Sequence, residues 1–172
     1  RGEVPGLTVS TDVIVGFSGE TEADFCDTLS LVEEVGFTGL FGFAYSVRPY
    51  TPAQKLPDDV PALEKKQRLA RLFEVSERLL GERLRSLVGT EQDVLVEGLG
   101  KQAQRAGAAA AWTGRTNQHE IVHLADPRAA GLAGEVVRVR VVGANNPPLT
   151  AELPRDFASP GRAPVAGVPA PG

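Results

Sequence analysis

Three small groups of residues in this sequence are of types that bind ligands or react. Gly16, Gly19 and Glu20 follow a run of β-branched residues, at what reads as the C-terminal end of a parallel strand, where α/β folds hold their ligands. Tyr45, Ser46 and Arg48 stand at the matching end of the next apolar run. The planar guanidinium of Arg48 can clamp a carboxylate or phosphate through two parallel hydrogen bonds; it serves equally well to pair with the acid-rich segment 22–34. The third group is Arg115, Arg138 and Arg140 with Trp112, which supplies cations for phosphates and a flat ring for stacking on bases. Lys101 and Arg105, beside or within an Ala-rich stretch, add two more cations. The competing reading places Trp112 in a core and leaves Arg138 and Arg140 to solvate the outer face of a sheet. The basic stretch from Lys65 to Arg71 reads in the same two ways, as an RNA contact or as a solvated helix face.

Other chemistries find little support. One cysteine, Cys26, excludes an internal disulfide framework and a cysteine-rich metal cluster built by this chain alone. Two histidines, His119 and His123, with no cysteine nearby, read as exposed polar or stacking side chains rather than ligands. Asp12, inside a strand run, reads as a structural acid that needs a partner if buried. No Ser-His-Asp arrangement, paired-carboxylate spacing or glycine-rich phosphate loop is present. At 172 residues, 42% hydrophobic and 23% charged, the chain has a globular composition sized for one ordinary domain or two small ones. Its net charge of -4 argues against a uniformly basic nucleic-acid binder and leaves room for a local basic patch. There is no apolar run of the ~20 residues a membrane span needs, and no targeting segment is evident, so a cytoplasmic location is expected. The chain lacks methionine and opens Arg1-Gly2-Glu3, which reads as a fragment.

Charge and periodicity both change near residue 90. Residues 1–91 carry 10 basic and 15 acidic groups, net -5, and residues 92–172 carry 8 and 7, net +1. We therefore expect one unit over 1–89, a second over 90–154, and a disordered Pro-, Ala- and Gly-rich tail over 155–172. In the first unit, residues 7–17 read as a strand around Val13-Ile14-Val15. Thr21 caps a helix, with Asp24 as the acidic partner of a capping box, and Phe25, Leu29 and Val32 form its buried stripe. Gly36 ends that helix in a left-handed conformation. Residues 40–45 form a second strand, and strand-helix-strand is a crossover unit of a parallel sheet. Pro49 and Pro52 force an irregular loop. A helix over 61–88, started by Asp59 and Pro61, is about 42 Å long at about 1.5 Å per residue.

From Gln92 onward the pattern is strands, at 93–97, 112–116 (interrupted by Gly114), 120–124, 136–141 and 149–153. Val137, Val139 and Val141 share one face of the clearest of them, and Arg138 and Arg140 the other. Five short strands in so few residues suggest a small closed barrel, with Gln102–Ala111 as a long loop and Asn145-Asn146-Pro147-Pro148 as the last turn.

Three stretches resemble a known family. Thr11-Asp12-Val13-Ile14-Val15-Gly16-Phe17-Ser18-Gly19-Glu20-Thr21 and Tyr45-Ser46-Val47-Arg48-Pro49-Tyr50-Thr51-Pro52-Ala53 look like the last part of a radical S-adenosylmethionine methylthiotransferase. Trp112-Thr113-Gly114-Arg115-Thr116-Asn117-Gln118-His119-Glu120-Ile121-Val122-His123 resembles the signature strand pair of that family's C-terminal TRAM domain, an RNA-binding barrel. The third stretch favours the tRNA branch, an Arg standing where the ribosomal-protein branch usually has an acid. The resemblance implies the end of a partial TIM-type barrel, a bridging helix and an OB-like barrel. It implies S-adenosylmethionine contacts at Gly16, Gly19, Glu20, Ser46 and Arg48, and RNA contacts at Trp112, Arg115, Arg138, Arg140 and Lys101. The reaction implied converts N6-isopentenyladenosine beside the anticodon to its 2-methylthio derivative. The implied partners are a tRNA anticodon stem-loop and the N-terminal part of the same protein, in a monomer without a membrane.

The family also uses two 4Fe-4S clusters, each held by three cysteines. Cys26 alone can hold neither, so this chain by itself is expected to be inactive. Three positions depart from the family pattern: Ser18 (usually Pro), Tyr50 (usually Gly) and His119 (usually Asn). The alternatives are a non-catalytic RNA-binding module, or the same chemistry on threonylcarbamoyladenosine tRNA or on a ribosomal protein.

Overall fold

A computed structural model describes residues 3–4, 6–100, 112–145 and 148–157. The chain divides into two compact units, 1–87 and 88–172.

In the first unit β1 (Ser10–Val15) and β2 (Gly39–Ala44) pair in parallel, from Ser10 opposite Gly39 to Val15 opposite Ala44. The helix between them, α1 (Glu22–Val35), begins in a complete capping box. Thr21 Oγ1 accepts from the Asp24 N–H at 3.2 Å, and Asp24 Oδ2 accepts from the Thr21 N–H at 2.8 Å. The hydrogen bonds from Thr21 hold the Asp24 carboxyl below its ordinary 3.8. Gly36 closes the helix at φ 62°, its N–H donating to the Val32 carbonyl. β1 is shorter than the seven-to-seventeen run suggests, because Gly16 turns the backbone to φ 72° immediately after Val15.

The long helix α2 (Ala62–Leu87) covers the sheet together with α1. Val15, Phe25, Val32 and Leu72 form the core, with Val13, Leu29, Leu40, Leu69 and Leu79 packed around them. Gly42 sets the spacing, since a Cβ there would lie 2.9 Å from Leu69 Cδ1. Among the described residues of this unit, one face of the sheet is covered. Alternate residues on the other, Asp12 and Ile14 on β1 and Phe41 and Phe43 on β2, are exposed. Asp12 is therefore not the buried acid that its apolar neighbours suggested. The start of α2 also differs from expectation. The Lys65 N–H donates to the Pro61 carbonyl, so Pro61 caps the helix from outside its first turn, and Asp59 points elsewhere.

The second unit is a closed barrel of β3 (Glu91–Leu99), β4 (Trp112–Thr116), β5 (Ile121–Leu124), β6 (Val136–Ala144) and β7 (Leu149–Glu152), in the order β3-β4-β5-β7-β6. All neighbours are antiparallel except β5 and β7. Register shifts at Val96/Gly98 and Val141/Gly143 bend β3 and β6, as bulges do where a sheet closes on itself. Val94, Val96, Val122, Leu124, Val137, Val139, Val141, Leu149 and Ala151 fill the interior. Gly114 does not interrupt its strand. It is the point where β4 crowds β3, since a Cβ there would sit 2.5 Å from both the Leu95 carbonyl oxygen and Val94 Cγ1. Residues 154–157 form a turn rather than the start of the expected disordered tail: the Phe157 N–H bonds the Pro154 carbonyl, and Arg128 donates to the carbonyls of Leu153 and Pro154. The remainder of that tail, the Ala-rich loop, and Lys101 and Arg105 lie outside the described residues. Among the described residues no helix is long and apolar enough to cross a membrane.

Candidate cofactor pocket and nucleic-acid face

At the C-terminal ends of β1 and β2 lies a cavity of about 370 Å³, lined by Ile14, Phe17, Phe43, Tyr45, Ser46 and Arg48 among others. Its wall is mostly apolar, with Phe17 and Tyr45 in edge-to-face contact at 4.8 Å. The polar groups sit on the loop after β2. That loop is held by Tyr45 Oη donating to the Ala53 carbonyl and Thr51 Oγ1 donating to the Arg48 carbonyl at 2.9 Å. Arg48 is exposed and forms no ion pair among the described residues, so of its two readings the pairing with α1 is not made. An apolar slot with a free guanidinium at its edge suits a ligand having a flat apolar part and an anionic end.

Ser46 and Arg48 thus meet at one cavity, whereas Gly16, Gly19 and Glu20 do not line it. The space that glycine leaves at position 16 is filled from within, because a Cβ there would overlap Lys65 Cγ. The Gly19 N–H donates to Asp59 Oδ1 at 2.9 Å. Glu20 is tied twice, accepting from the Gly16 N–H at 2.6 Å and from Arg68 Nη1 at 2.5 Å. These three residues are parts of a turn that the chain itself braces.

The bracing depends on two residues that sequence reasoning placed on a solvated or RNA-facing surface. Lys65 and Arg68 are only 6% and 2% exposed. Lys65 Nζ donates to the Tyr45 carbonyl at 3.2 Å and to Asp58, and lies 5.3 Å from the Tyr45 ring centre. Arg68 reaches Glu20, Glu64 and the Glu20 carbonyl. Arg71 pairs with Glu22 at 2.5 Å and stands over Phe25. A signal for this existed. Extending the stripe of Leu69 and Leu72 back by four residues lands on Lys65 and Arg68, so both lie on the buried face of α2.

On the barrel, Arg115, Arg138 and Arg140 are exposed on the outer surface. Arg115 pairs with Glu97 at 3.0 Å, and Arg138 with Glu91 and Asp93 at 3.2 and 3.3 Å. Arg140 forms no ion pair among the described residues, although Glu91 and Glu152 stand opposite it on the flanking strands. Such exposed pairs are worth about 0–1 kcal/mol, so a phosphate can displace the acid at little cost. Trp112 does not offer an outward platform. It stands opposite the fully buried Leu124 and alternates with the buried Gly114 and Thr116, which puts its half-buried ring on the interior face.

No group of three or more His, Cys, Asp or Glu side chains able to hold a metal occurs among the described residues, and Cys26 is an exposed free thiol. The described residues fit a ligand with a flat apolar part and an anionic end, and a single cysteine does not fit an iron–sulfur cluster.

Residues 85–153, which hold the five-stranded closed barrel, match the TRAM domain family. Over 151 residues the chain is 62% identical to a tRNA-2-methylthio-N(6)-dimethylallyladenosine synthase of Sorangium cellulosum, a match covering 87% of this chain and 30% of that protein. Proteins of the same name from Desulfosudis oleivorans and Bdellovibrio bacteriovorus are each 42% identical, over 83% and 82% of the chain and 32% and 29% of their own lengths. The chain belongs to the family of these synthases and spans about 30% of their length.

Proposed function

We propose that this chain is the part of a tRNA-2-methylthio-N(6)-dimethylallyladenosine synthase that walls the cofactor pocket and grips the anticodon stem-loop. The 62% identity over 87% of the chain carries this reading. The first unit supports a place at the end of a partial TIM-type barrel. Its sheet has two strands, and one face is left bare at Asp12, Ile14, Phe41 and Phe43. Parallel sheets occur almost always covered on both faces and extended by further strands, which the rest of a protein about three times longer can supply.

S-adenosylmethionine, when bound, supplies the radical that activates the substrate. This chain's contribution is placement. The apolar wall of Ile14, Phe17 and Phe43 takes the flat part of the ligand, Ser46 offers a hydroxyl, and Arg48 meets the anionic end. Both iron–sulfur clusters are assigned to cysteines outside this sequence. The TRAM barrel supplies phosphate contacts through Arg138, Arg140 and Arg115.

The test uses the full reading frame in cells. Arg48→Ala should abolish 2-methylthio-N6-isopentenyladenosine in bulk tRNA, read by mass spectrometry of nucleosides, while ribosomal proteins keep their masses. Unchanged tRNA nucleosides in a strain deleted for the gene would sink the proposal.

A further inference from the structure

Tyr50 is one of two non-glycine residues among those described with a left-handed backbone, at φ 65°. That conformation costs a residue bearing a Cβ about 1–2 kcal/mol. The fold gains nothing from the side chain that requires it. The ring is 101% exposed and makes no hydrogen bond or ring contact among the described residues. The backbone, by contrast, is pinned, with the Tyr50 N–H donating to Gln54 Oε1 at 3.1 Å and the Thr51 hydroxyl bridging back to Arg48. A rigid loop therefore holds a strained residue with its ring presented to solvent. Position matters as well, because Arg48 and Thr51 on either side both line the cavity at the strand ends. Tyr50 lies in the chain between these two lining residues without lining the cavity itself.

Strain that the fold does not repay points to a ligand. A solvent-exposed tyrosine ring carried on a pinned backbone beside a pocket matches one chemistry well, the flat face of an unpaired base. We propose that Tyr50 is a base-stacking residue, which packs on an unpaired purine of the RNA brought up beside the cofactor cavity. The inference rests on the reading of the chain as a tRNA-binding one. It adds a contact in the first unit that is separate from the phosphate grip of the TRAM barrel.

The experiment measures binding of the full chain to a short hairpin RNA with adenosines in its loop, one replaced by fluorescent 2-aminopurine, and to a blunt duplex of the same length. Wild type and Tyr50→Phe should prefer the hairpin and quench the 2-aminopurine. Tyr50→Leu keeps the backbone strain without the π-face, and Tyr50→Gly removes both. Each should bind the hairpin about tenfold more weakly, with reduced quenching and unchanged duplex affinity. Tyr50→Gly should also melt higher than wild type, so a loss of binding cannot be blamed on unfolding. If the wild type binds the hairpin but Leu and Gly variants match it in affinity and quenching, the stacking role is overturned while the barrel's grip stands. If the wild type binds neither RNA, both readings fall together.

Discussion

The two units use the same residue in opposite ways. In the first, Arg68 is turned inward and surrounded by Glu20 and Glu64, with the Phe25 ring 5.7 Å from its guanidinium. In the barrel, Arg138 lies on the outer surface against Glu91 and Asp93, with most of its side chain in water. Arg68 has three acidic partners, Glu22 included, and Arg138 has two, so the number of partners barely distinguishes them. The solvent does. Around a buried guanidinium no water remains to replace a lost carboxylate, and removing one member of the set strands a charge. Around an exposed one, water or an incoming phosphate takes the place of the acid. One arrangement braces a turn and the other is exchangeable, as a nucleic-acid contact needs to be.

The most severe way to test that contrast is Arg68→Ala, which should destabilise the first unit by about 3–5 kcal/mol. Chemical denaturation followed separately in each unit should show the barrel unaffected. A loss as small as that of a surface arginine would refute the bracing role. In the barrel the corresponding weak point is steric rather than electrostatic. Gly114→Val should cost about 1–3 kcal/mol or more, because the Cβ would meet backbone that cannot move aside. Its readout is the melting temperature of the second unit.

Relieving strain should work in the other direction. Tyr50→Gly, and His119→Gly in the β4–β5 turn at φ 67°, should each stabilise their unit by about 1 kcal/mol. Arg138→Ala should change stability by less than about 1 kcal/mol. If Arg138 contacts a phosphate, the same substitution should lower the salt dependence of RNA affinity by about one unit of slope. The smallest effect concerns acid. Because the Asp24 carboxyl is held below 3.8, its contribution to stability is present above its unfolded value and is lost as pH falls through its lower folded one. Thr21→Ala should raise the Asp24 titration midpoint back toward the ordinary range, measured by NMR.

Much of this was legible in the residues. The capping box at Thr21 and Asp24, the left-handed Gly36, the alternation of Val137, Val139 and Val141, and the five barrel strands all follow from local pattern. Burial was not legible. Lys65 and Arg68 looked like surface cations because their charge outweighed their place on the stripe. Local pattern also could not show that Glu20 is tied to Arg68 and the Gly16 N–H, or which way the strand bearing Trp112 faces.

Most of the secondary structure was determined by the sequence alone, because capping, periodicity and side-chain alternation act over a few neighbouring residues. Which charges are buried was decided only in the tertiary structure. Glu20 and Arg68 are 48 residues apart and are joined only when α2 packs across the end of β1. The same packing fills the gap at Gly16 and leaves Arg48 free at the cavity edge, since burial depends on what the rest of the fold brings near and not on the residue itself.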